Sequence, residues 1–277
     1  MAADPLTAAL TRAAGWLAAA DGLLINAGAG MGIDSGLPDF RGPGGFWGVY
    51  PALGRARIAF EEIANPAAFA RDPQLAWGFY GHRLALYRTT EPHAGFALLR
   101  EIAAQLPQGA FVFTSNVDGQ FQKAGYPAER ICEIHGSIHH LQCSRPCSER
   151  IWSAAGFAPE VDHAACRLRN EAPHCPQCGA LARPNILMFN DWHWLEQRSA
   201  AQQQALADWL GQVRRPVVIE IGAGSRIPSV RRFSEQYGQR LIRINPLESD
   251  SPPGSIALPL GGLAGIRRLA AAYSALA

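Results

Sequence analysis

The chain has 277 residues, which is enough for one large domain or two small ones. Apolar residues make up 48% of it and the formal charge is only +2, so the composition indicates a substantial core and argues against a polyanion binder. No apolar run reaches the roughly 18–20 residues that span a bilayer, and residues 1–4 lack the cationic start of a signal peptide. We therefore expect a cytoplasmic protein with no nucleic-acid partner and no membrane contact.

The first predicted elements lead into a glycine-rich loop. Residues 6–20 carry apolar side chains at helical spacing, and the apolar run at 23–25 is short enough for one buried strand. The loop at 26–42 follows, and its glycines would let a phosphate approach backbone N–H groups. It lacks the lysine of a Walker loop and has Ile33 where the dinucleotide fingerprint requires its third glycine. The loop therefore indicates a nucleotide site of another kind, with a plain glycine-rich connection as the alternative.

The rest of the chain alternates between helical and strand patterns. Residues 44–53 are aromatic without a regular period, which predicts an irregular connection. Further helices are predicted at 60–88 with breaks, 94–105, 195–212 and 263–276, and further strands at 110–113, 131–134, 186–189, 216–221 and 241–244. Such alternation predicts a parallel α/β sheet, in which ligands bind beyond the carboxyl ends of the strands. The polar residues that follow these ends are Asn116, Asp118, His135, the segment 222–225 and Asn245.

Two close pairs of cysteines predict a metal site. Cys143-x3-Cys147 and Cys175-x2-Cys178 can each give two sulfurs to one tetrahedral ion, for which Zn²⁺ is the best candidate. In a chain without a predicted export signal, clustered cysteines favour metal over disulfides. Four sulfurs close the coordination sphere, so the predicted site is structural. Reduced free cysteines and a disulfide are the alternatives, and Cys166 is a competing ligand between the pairs.

The order of these motifs resembles that of the sirtuins, a family of NAD-dependent protein lysine deacylases, from about residue 22 to residue 245. The resemblance rests on Gly28-Ala-Gly-Met-Gly-Ile-Asp-Ser-Gly-Leu-Pro-Asp-Phe-Arg41, Thr114-Ser-Asn-Val-Asp118, His135-Gly136, the cysteine pairs, Arg183-Pro-Asn-Ile-Leu-Met-Phe189, Gly222-Ala-Gly-Ser225 and Ile244-Asn245. Each match alone is of moderate specificity, whereas the ordered set is hard to obtain by chance. The resemblance implies an α/β fold with a Rossmann-like parallel sheet, a small zinc-binding module and a helical insert.

A division into domains follows from the same resemblance. The NAD-binding, Rossmann-like domain would comprise residues 1–45, 92–140 and 182–277. Residues 46–91 would form the helical insert and residues 141–181 the zinc-binding module, and these two parts together would make the small domain.

The resemblance also assigns roles, with NAD and Zn²⁺ as cofactors and acyl-lysine proteins as substrates. Asn116 and Asp118 would hold the nicotinamide carboxamide and a structured water. His135 would act as general base on a ribose hydroxyl, which suits a side chain that titrates near neutral pH. Leu187 and Phe189 would bind the substrate. The expected NAD contacts are Gly28, Ala29, Gly30, Asp39, Phe40, Arg41, Asn116, Asp118, Gly222, Ser225 and Asn245.

The reaction implied by the resemblance begins when the acyl oxygen of the lysine attacks C1′ of the ribose and nicotinamide leaves. The products are free lysine, nicotinamide and O-acyl-ADP-ribose. Phe40 would shield the reacting face of the ribose, and Arg41 would contact phosphate or order its loop. Without the resemblance, His135 reads as a core or capping histidine and Asp118 as a helix cap. Zinc ligation by one of the two adjacent histidines at 139 and 140 is a further alternative.

The chain departs from the family pattern in four places. Gly32 stands where serine is usual, Ser115 where glutamine is usual, and Asn190-Asp191 where Gly-Glu is usual. The family's Gly-Thr-Ser segment reads 222–224 Gly-Ala-Gly before a serine. These departures concern ribose and peptide contacts and leave the expected catalytic residues unchanged.

A further motif bears on the acyl group. Tyr80 and Arg83 are three residues apart on one predicted helix face, which resembles the Tyr-x-x-Arg pair of the sirtuin branch that removes succinyl and malonyl groups. A guanidinium pairs bidentately with a carboxylate, and a phenol adds one hydrogen bond. The alternative is an amphipathic helix with a packed tyrosine and a surface arginine. Deacetylation is compatible with the acidic-acyl reading.

Two other functions remain open on sequence grounds. One keeps the fold and changes the acceptor, which gives a protein ADP-ribosyltransferase or an NAD glycohydrolase. The other is a non-enzymatic zinc-ribbon interaction module on a nucleotide-binding fold, against which the small net charge stands.

Overall fold

The computed structural model describes residues 4–38 and 42–276. The strands are β1 (Gly22–Ala27), β2 (Ala110–Thr114), β3 (Ile131–Glu133), β4 (Gly136–Cys143), β5 (Ile151–Ser153), β6 (Val161–Asp162), β7 (Arg167–Leu168), β8 (Ala182–Ile186), β9 (Pro216–Ile221), β10 (Leu241–Ile244) and β11 (Ile256–Leu258). Short 3₁₀ helices lie at Ala29–Met31, Ile33–Ser35 and Ala128–Arg130.

The α-helices are α1 (Pro5–Ala18), α2 (Gly42–Val49), α3 (Pro51–Arg55), α4 (Phe60–Ile63), α5 (Pro66–Arg71), α6 (Pro73–Thr89), α7 (Ala94–Ala103), α8 (Gln120–Lys123), α9 (Gln197–Leu210), α10 (Ser229–Tyr237) and α11 (Gly262–Ser274). Across the ranges 4–38 and 42–276, none of these helices is both long and apolar enough to cross a membrane.

A six-stranded sheet in the order β11-β10-β9-β1-β2-β3 forms the larger part of the fold, and each of its neighbouring pairs is parallel. This confirms the predicted parallel α/β sheet. The chain enters the sheet at β1, builds outward to β3 on one side, and later builds outward from β9 on the other. Strand order therefore reverses between β1 and β9, and ligands of such sheets bind in the crevice beyond that reversal.

Helices cover both faces of this sheet. One core joins α1, α7 and α11 to side chains such as Leu23 and Ile25 of β1. The other face packs Leu24 against α9 and α10, with Trp209 as its largest side chain. All six residues of β1 are buried, which explains why this strand reads as a continuous apolar run without alternation.

A second core lies apart from the sheet and is rich in aromatic side chains. It combines residues of α2, α3, α5 and α6 with residues of β4, β7 and β8. Trp77 and Phe79 of α6 are completely buried there. A small antiparallel sheet in the order β5-β4-β8 and the β6-β7 hairpin complete this region.

Two sequence expectations were wrong. Residues 44–53 were predicted to be irregular, yet all of them except Tyr50, the N-cap of α3, lie in α2 and α3. Phe46 and Tyr50 are both buried there and meet the ring of Phe79 with centroids 6.0 and 5.0 Å away, so tertiary packing overrides the weak helix propensity of a glycine-rich segment.

The second wrong expectation was a strand at 186–189. The strand is β8, which ends at Ile186 and contains Arg183, Pro184 and Asn185. Polar residues are tolerated in this buried strand because they are paired: Asn185 Nδ2 donates to Gln142 Oε1 at 2.9 Å. The ladder to β4 shifts register beside Pro184, which is where a sheet accepts proline.

The loops that follow β1 and β9 touch through their backbones. A Cβ on Gly28 would lie 2.6 Å from the Cα of Ala223, and a Cβ on Gly222 would lie 2.4 Å from the Cα of Gly30. Gly222 also has φ +62°, in the left-handed region that favours glycine. These two glycines are therefore required by the contact between the loops.

Gly222→Ala should destabilise the fold more than Gly109→Ala. The two glycines have φ of +62° and +63°, so each alanine meets the same left-handed penalty of about 1–2 kcal/mol. A Cβ at Gly109 has nothing within 4 Å, so only Gly222→Ala also creates a clash. Overpacking adds about 1–3 kcal/mol, and urea unfolding would measure the difference. Equal free energies of unfolding for the two variants would contradict a tight contact between the loops.

Candidate active site

Hydrogen bonds connect the carboxyl ends of the central strands. Gly28 N donates to Ile221 O at 2.9 Å, and Gly30 N donates to Gly222 O at 3.0 Å. Gly222 N in turn donates to Ile244 O at 3.0 Å. The first 3₁₀ helix starts at this junction, with Gly28 as an N-cap that offers no side chain to its N–H groups. The N–H groups of Gly28, Gly30 and Met31 are all engaged in this junction, so they hold the loops together.

Two asparagine side chains extend this network. Asn116 Nδ2, after β2, donates to Gly28 O at 3.0 Å. Asn245 Nδ2, after β10, donates to Ala223 O at 3.0 Å. The structure thus brings Asn116, Asn245 and the loop glycines to one edge of the sheet. Ser225 lies farther out, exposed, where its N–H donates to Glu248 Oε2 at 2.7 Å.

Asp118 is a buried carboxylate at this edge. Its Oδ1 accepts a hydrogen bond from Gln120 N at 2.9 Å, at the start of α8, although the N-cap position of that helix is occupied by Gly119. Burial, with help from the nearby charge of Glu133, nevertheless raises its pKa to about 6, although Arg83 acts in the opposite direction. Only 8% of Asp118 is exposed. A hydrogen bond to the start of a helix does not require such burial, and strongly shifted carboxyls cluster at functional sites.

His135 follows β3, next to the strand that carries Asn116. The ring is half-buried, and burial lowers its pKa, although a backbone hydrogen bond at Ser115 works against this. Gly136 then takes φ +76°, where a Cβ would lie 2.1 Å from Asn185 O. The glycine after the histidine is therefore fixed by the close approach of β8.

Two polar contacts attach the glycine loop to the helices behind it. His93 Nε2 lies 2.9 Å from Met31 O, and Gly95 N donates to His93 Nδ1 at 3.0 Å. Asp34 Oδ2 accepts a hydrogen bond from Leu263 N at 2.8 Å, at the start of α11. The first half of the loop is thus held from behind. Asp39, Phe40 and Arg41, assigned to its second half, lie outside the described residues.

The segment after β8 connects the site to the aromatic core. Leu187 N donates to His135 O and Phe189 N donates to Ala64 O, both at 2.9 Å. Leu187 is exposed and Phe189 half-buried. The structure therefore places one of the two predicted substrate residues directly beside His135.

A buried ion pair holds this segment in shape. Both terminal nitrogens of Arg183 donate to Asp191 at 2.8 Å, and their side chains are only 1% and 0% exposed. Asp191 also accepts hydrogen bonds from the N–H groups of Met188 and His193. Asn190 has φ +54°, a conformation that asparagine tolerates better than most residues. The departure from Gly-Glu to Asn190-Asp191 thus fits the local backbone.

The glycine at position 32, where the family usually has serine, has a steric explanation. A Cβ on Gly32 would lie 2.8 Å from Cδ1 of Leu37, so a serine would crowd that leucine. The absence of a side chain at Gly32 thus leaves space for Leu37.

Tyr80 and Arg83 lie together on α6, and a third residue joins them. Tyr80 is buried and stacks on Phe69 with centroids 5.5 Å apart. Arg83 is buried as well, and its Nε and Nη2 donate to Tyr87 Oη at 2.9 and 2.8 Å. Sequence reasoning missed Tyr87, although its spacing of four residues from Arg83 puts both on one helix face.

Four cysteine sulfurs cluster at the far end of β4. The Sγ atoms of Cys143 and Cys178 are 3.7 Å apart, and those of Cys147 and Cys175 are 3.6 Å apart. The cluster's ligand atoms all lie within 4.8 Å of one another. A tetrahedral ion with Zn–S bonds of about 2.3 Å separates its sulfurs by about 3.8 Å, so the cluster fits Zn²⁺.

The thiols of the cluster differ in acidity. Burial opposes ionisation of Cys175, but the N–H groups of Cys178 and Gln177 lower its pKa to about 7. Burial raises the pKa of Cys143, and the side-chain contact with Cys178 raises that of Cys147, so the spacing of the sulfurs, not their acidity, carries the assignment. Cys166 is not part of the cluster. It is buried in the aromatic core, where its backbone lies against Gly78.

Comparison with known proteins identifies this arrangement. The Sir2 family profile matches residues 28–210, about two thirds of the chain. The chain belongs to the Sir2 family. The resemblance to sirtuins inferred from the sequence is thereby confirmed.

Individual relatives of this chain also support its place in the Sir2 family. NAD-dependent protein deacylase 2 of Pyrobaculum aerophilum is 32% identical over 231 residues, which cover 83% of this chain and 81% of the relative. The mitochondrial NAD-dependent protein deacylase sirtuin-5 of Canis lupus familiaris is 32% identical over 184 residues, 61% of this chain and 56% of that protein. A crystal structure of a Sir2 homologue in complex with NAD superimposes with a TM-score of 0.71 at 23% identity, covering 96% of this chain and 94% of the homologue. At that identity the superposition establishes a shared fold.

The sulfur cluster of this Sir2 chain should bind one Zn²⁺. Native mass spectrometry should find one zinc ion per chain, and Cys178→Ser should lose it because three sulfurs no longer close the sphere. Cys166→Ala is the matched control and should retain the metal, since Cys166 lies in the aromatic core. Retention of zinc by Cys178→Ser, or its loss from Cys166→Ala, would show that the ligand set is different.

The raised pKa of Asp118 should make the protein's stability depend on pH. In the unfolded chain this carboxyl ionises near pH 4, whereas in the folded chain it stays protonated to about pH 6. The stability it contributes therefore falls as the pH rises through that window and stays lost above it. Asp118→Asn, which carries no charge, should gain about 1–2 kcal/mol more over the wild type at pH 8 than at pH 5. A gain in unfolding free energy that is independent of pH would argue against a raised pKa.

Proposed function

We propose that this protein is an NAD-dependent protein lysine deacylase. One observation carries the proposal: Asn116, Asp118 and His135 follow the adjacent strands β2 and β3, next to the glycine loop at the strand-order reversal. The printed names of its Sir2 relatives support it. In this reading the substrates are proteins with acylated lysines, and the acyl group is transferred to the ADP-ribose part of NAD.

In this proposal His135 transfers a proton, and the other side chains bind NAD. Bound NAD would supply the ribose carbon and the nicotinamide leaving group. The lowered pKa of His135 keeps its imidazole neutral at pH 7, so it can accept a proton from a ribose hydroxyl. Asn116 and Asp118 would hold the nicotinamide carboxamide. The remaining NAD contacts in this proposal are Gly28, Ala29, Gly30, Asp39, Phe40, Arg41, Gly222, Ser225 and Asn245.

The acylated peptide would lie along the segment after β8. Leu187 and Phe189 are the proposed substrate residues, and the hydrogen bond from Leu187 N to His135 O places this segment beside the proposed base. The division into an NAD-binding domain, a helical insert and a zinc-binding module is also part of this proposal. A cytoplasmic location stays a prediction from the sequence.

The acyl group in this proposal includes acidic types such as succinyl and malonyl. Support comes from the buried guanidinium of Arg83, whose carbon lies 5.9 Å from the ring centroid of Tyr80. A guanidinium discriminates strongly in favour of a carboxylate over an uncharged methyl group. Acetyl groups, which lack the carboxylate, would be removed without this contact.

Mass spectrometry of acetyl-, succinyl- and malonyl-lysine peptides, with and without NAD, tests the function. The wild type should release nicotinamide and form O-acyl-ADP-ribose only when NAD and an acylated peptide are both present. His135→Ala should lower the rate by at least about a hundredfold, as expected for the loss of a general base. Arg83→Met should lower kcat/KM for the succinyl peptide far more than for the acetyl peptide.

The competing functions give different products in the same assay. A protein ADP-ribosyltransferase would leave ADP-ribose on a protein, and an NAD glycohydrolase would release free ADP-ribose without any peptide. If no peptide loses its acyl group in the presence of NAD, the protein is not a deacylase. If Arg83→Met lowers both rates equally, the arginine does not recognise an acidic group.

A further inference from the structure

Arg83 and Tyr87 are joined by two hydrogen bonds. Nε and Nη2 of Arg83, the two nitrogens along one side of the guanidinium, both donate to the single phenol oxygen of Tyr87, at 2.9 and 2.8 Å. Both residues belong to α6, one helical turn apart, and both are buried. One whole edge of the guanidinium is therefore held by a neighbour on the same rigid element.

Aromatic rings restrict the same group from other directions. The guanidinium carbon lies 5.2 Å from the ring centroid of Phe79, 5.4 Å from that of Tyr87 and 5.9 Å from that of Tyr80. At these distances cation–π attraction contributes to the placement of the charge. The hydrogen bonds and the rings together fix both the depth and the plane of the guanidinium.

Tyr87 orients this charge without cancelling it. Burial raises the pKa of the Tyr87 phenol, so the phenol is neutral at physiological pH. Asp191 offers the contrast, because its carboxylate both orients and neutralises Arg183. A neutral acceptor is what a site needs when the positive charge has to remain attractive to an incoming anion.

We propose that Tyr87 is a positioning residue that selects acidic acyl groups by holding Arg83 at a fixed depth and orientation. This inference rests on the proposed deacylase function and deepens it. The carboxylate of the acyl chain then meets a guanidinium whose position and plane are set by Tyr87. Because the guanidinium is fixed, only an acyl chain of matching length can bring its carboxylate to Arg83 while the lysine nitrogen stays at the reaction centre. Tyr87 thereby sets the preferred chain length.

The test compares Tyr87→Phe with the wild type on acetyl-, malonyl-, succinyl- and glutaryl-lysine peptides. The ratio of kcat/KM for the preferred acidic peptide to that for the acetyl peptide should fall by about tenfold or more, the effect expected when hydrogen bonds to a charged group are lost. The fall should come mainly from KM, because the substrate contact is loosened. The preference among the three acidic chain lengths should flatten, since the guanidinium is no longer held at one depth.

Tyr126→Phe is the matched control. Tyr126 is also a buried tyrosine with one hydrogen bond, from its Oη to Phe96 O at 2.9 Å, and it lies in the core that covers the parallel sheet. It should leave both the ratio and the chain-length profile unchanged. Each ratio is measured on one preparation, so it does not depend on the fraction of folded enzyme, even if Tyr87→Phe is less stable.

A double-mutant cycle with Arg83→Met tests whether Tyr87 acts through Arg83. If Tyr87 acts through Arg83, then Tyr87→Phe should change the ratio less than twofold in the Arg83→Met background. The inference is overturned if Tyr87→Phe leaves the ratio and the profile unchanged while Arg83→Met lowers the ratio. Absence of any NAD-dependent acyl loss, from acetyl peptides included, would instead overturn the deacylase function itself.

Discussion

The site depends on the backbone contact between the loops after β1 and β9. These strands are neighbours at the point where strand order reverses, and their loops approach so closely that neither Gly28 nor Gly222 has space for a Cβ. Asn116 then attaches the β2 loop to Gly28, and Asn245 attaches the β10 loop to Ala223. Four strand ends become one continuous surface, which is why residues far apart in sequence form a single site.

Buried charge is used in two ways in this fold. Arg183 pairs with Asp191, and Arg243 pairs with both Glu220 and Glu235, so each buried arginine is neutralised by carboxylates of the protein itself. They fix the segment beside the site and the sheet behind it, and breaking a buried pair of this kind is costly. Asp118 differs, since burial raises its pKa to about 6. Its ionised form is therefore a cost to the folded state.

Sequence patterns predicted the parallel sheet and the cluster of four cysteines because each is encoded in short segments, and they predicted the family because its motifs occur in a fixed order. The run before Gly28 reads as a buried strand, and the Cys175-x2-Cys178 spacing is a chelating pair on its own. Helices α2 and α3 were missed because they are stabilised by distant rings, not by propensity. β8 was misplaced because the partners that permit Arg183 and Asn185 in a buried strand lie elsewhere in the chain.

The role of Tyr87 could not be predicted from the sequence, because it depends on the geometry of its contact with Arg83. Its spacing from Arg83 was visible in the sequence, but spacing does not reveal that one phenol oxygen holds a whole edge of the guanidinium. Burial raises the pKa of Asp118 to about 6, and the positive charge of the same guanidinium opposes this rise. Because Tyr87 fixes Arg83 on α6, it also fixes the distance over which this positive charge acts on Asp118.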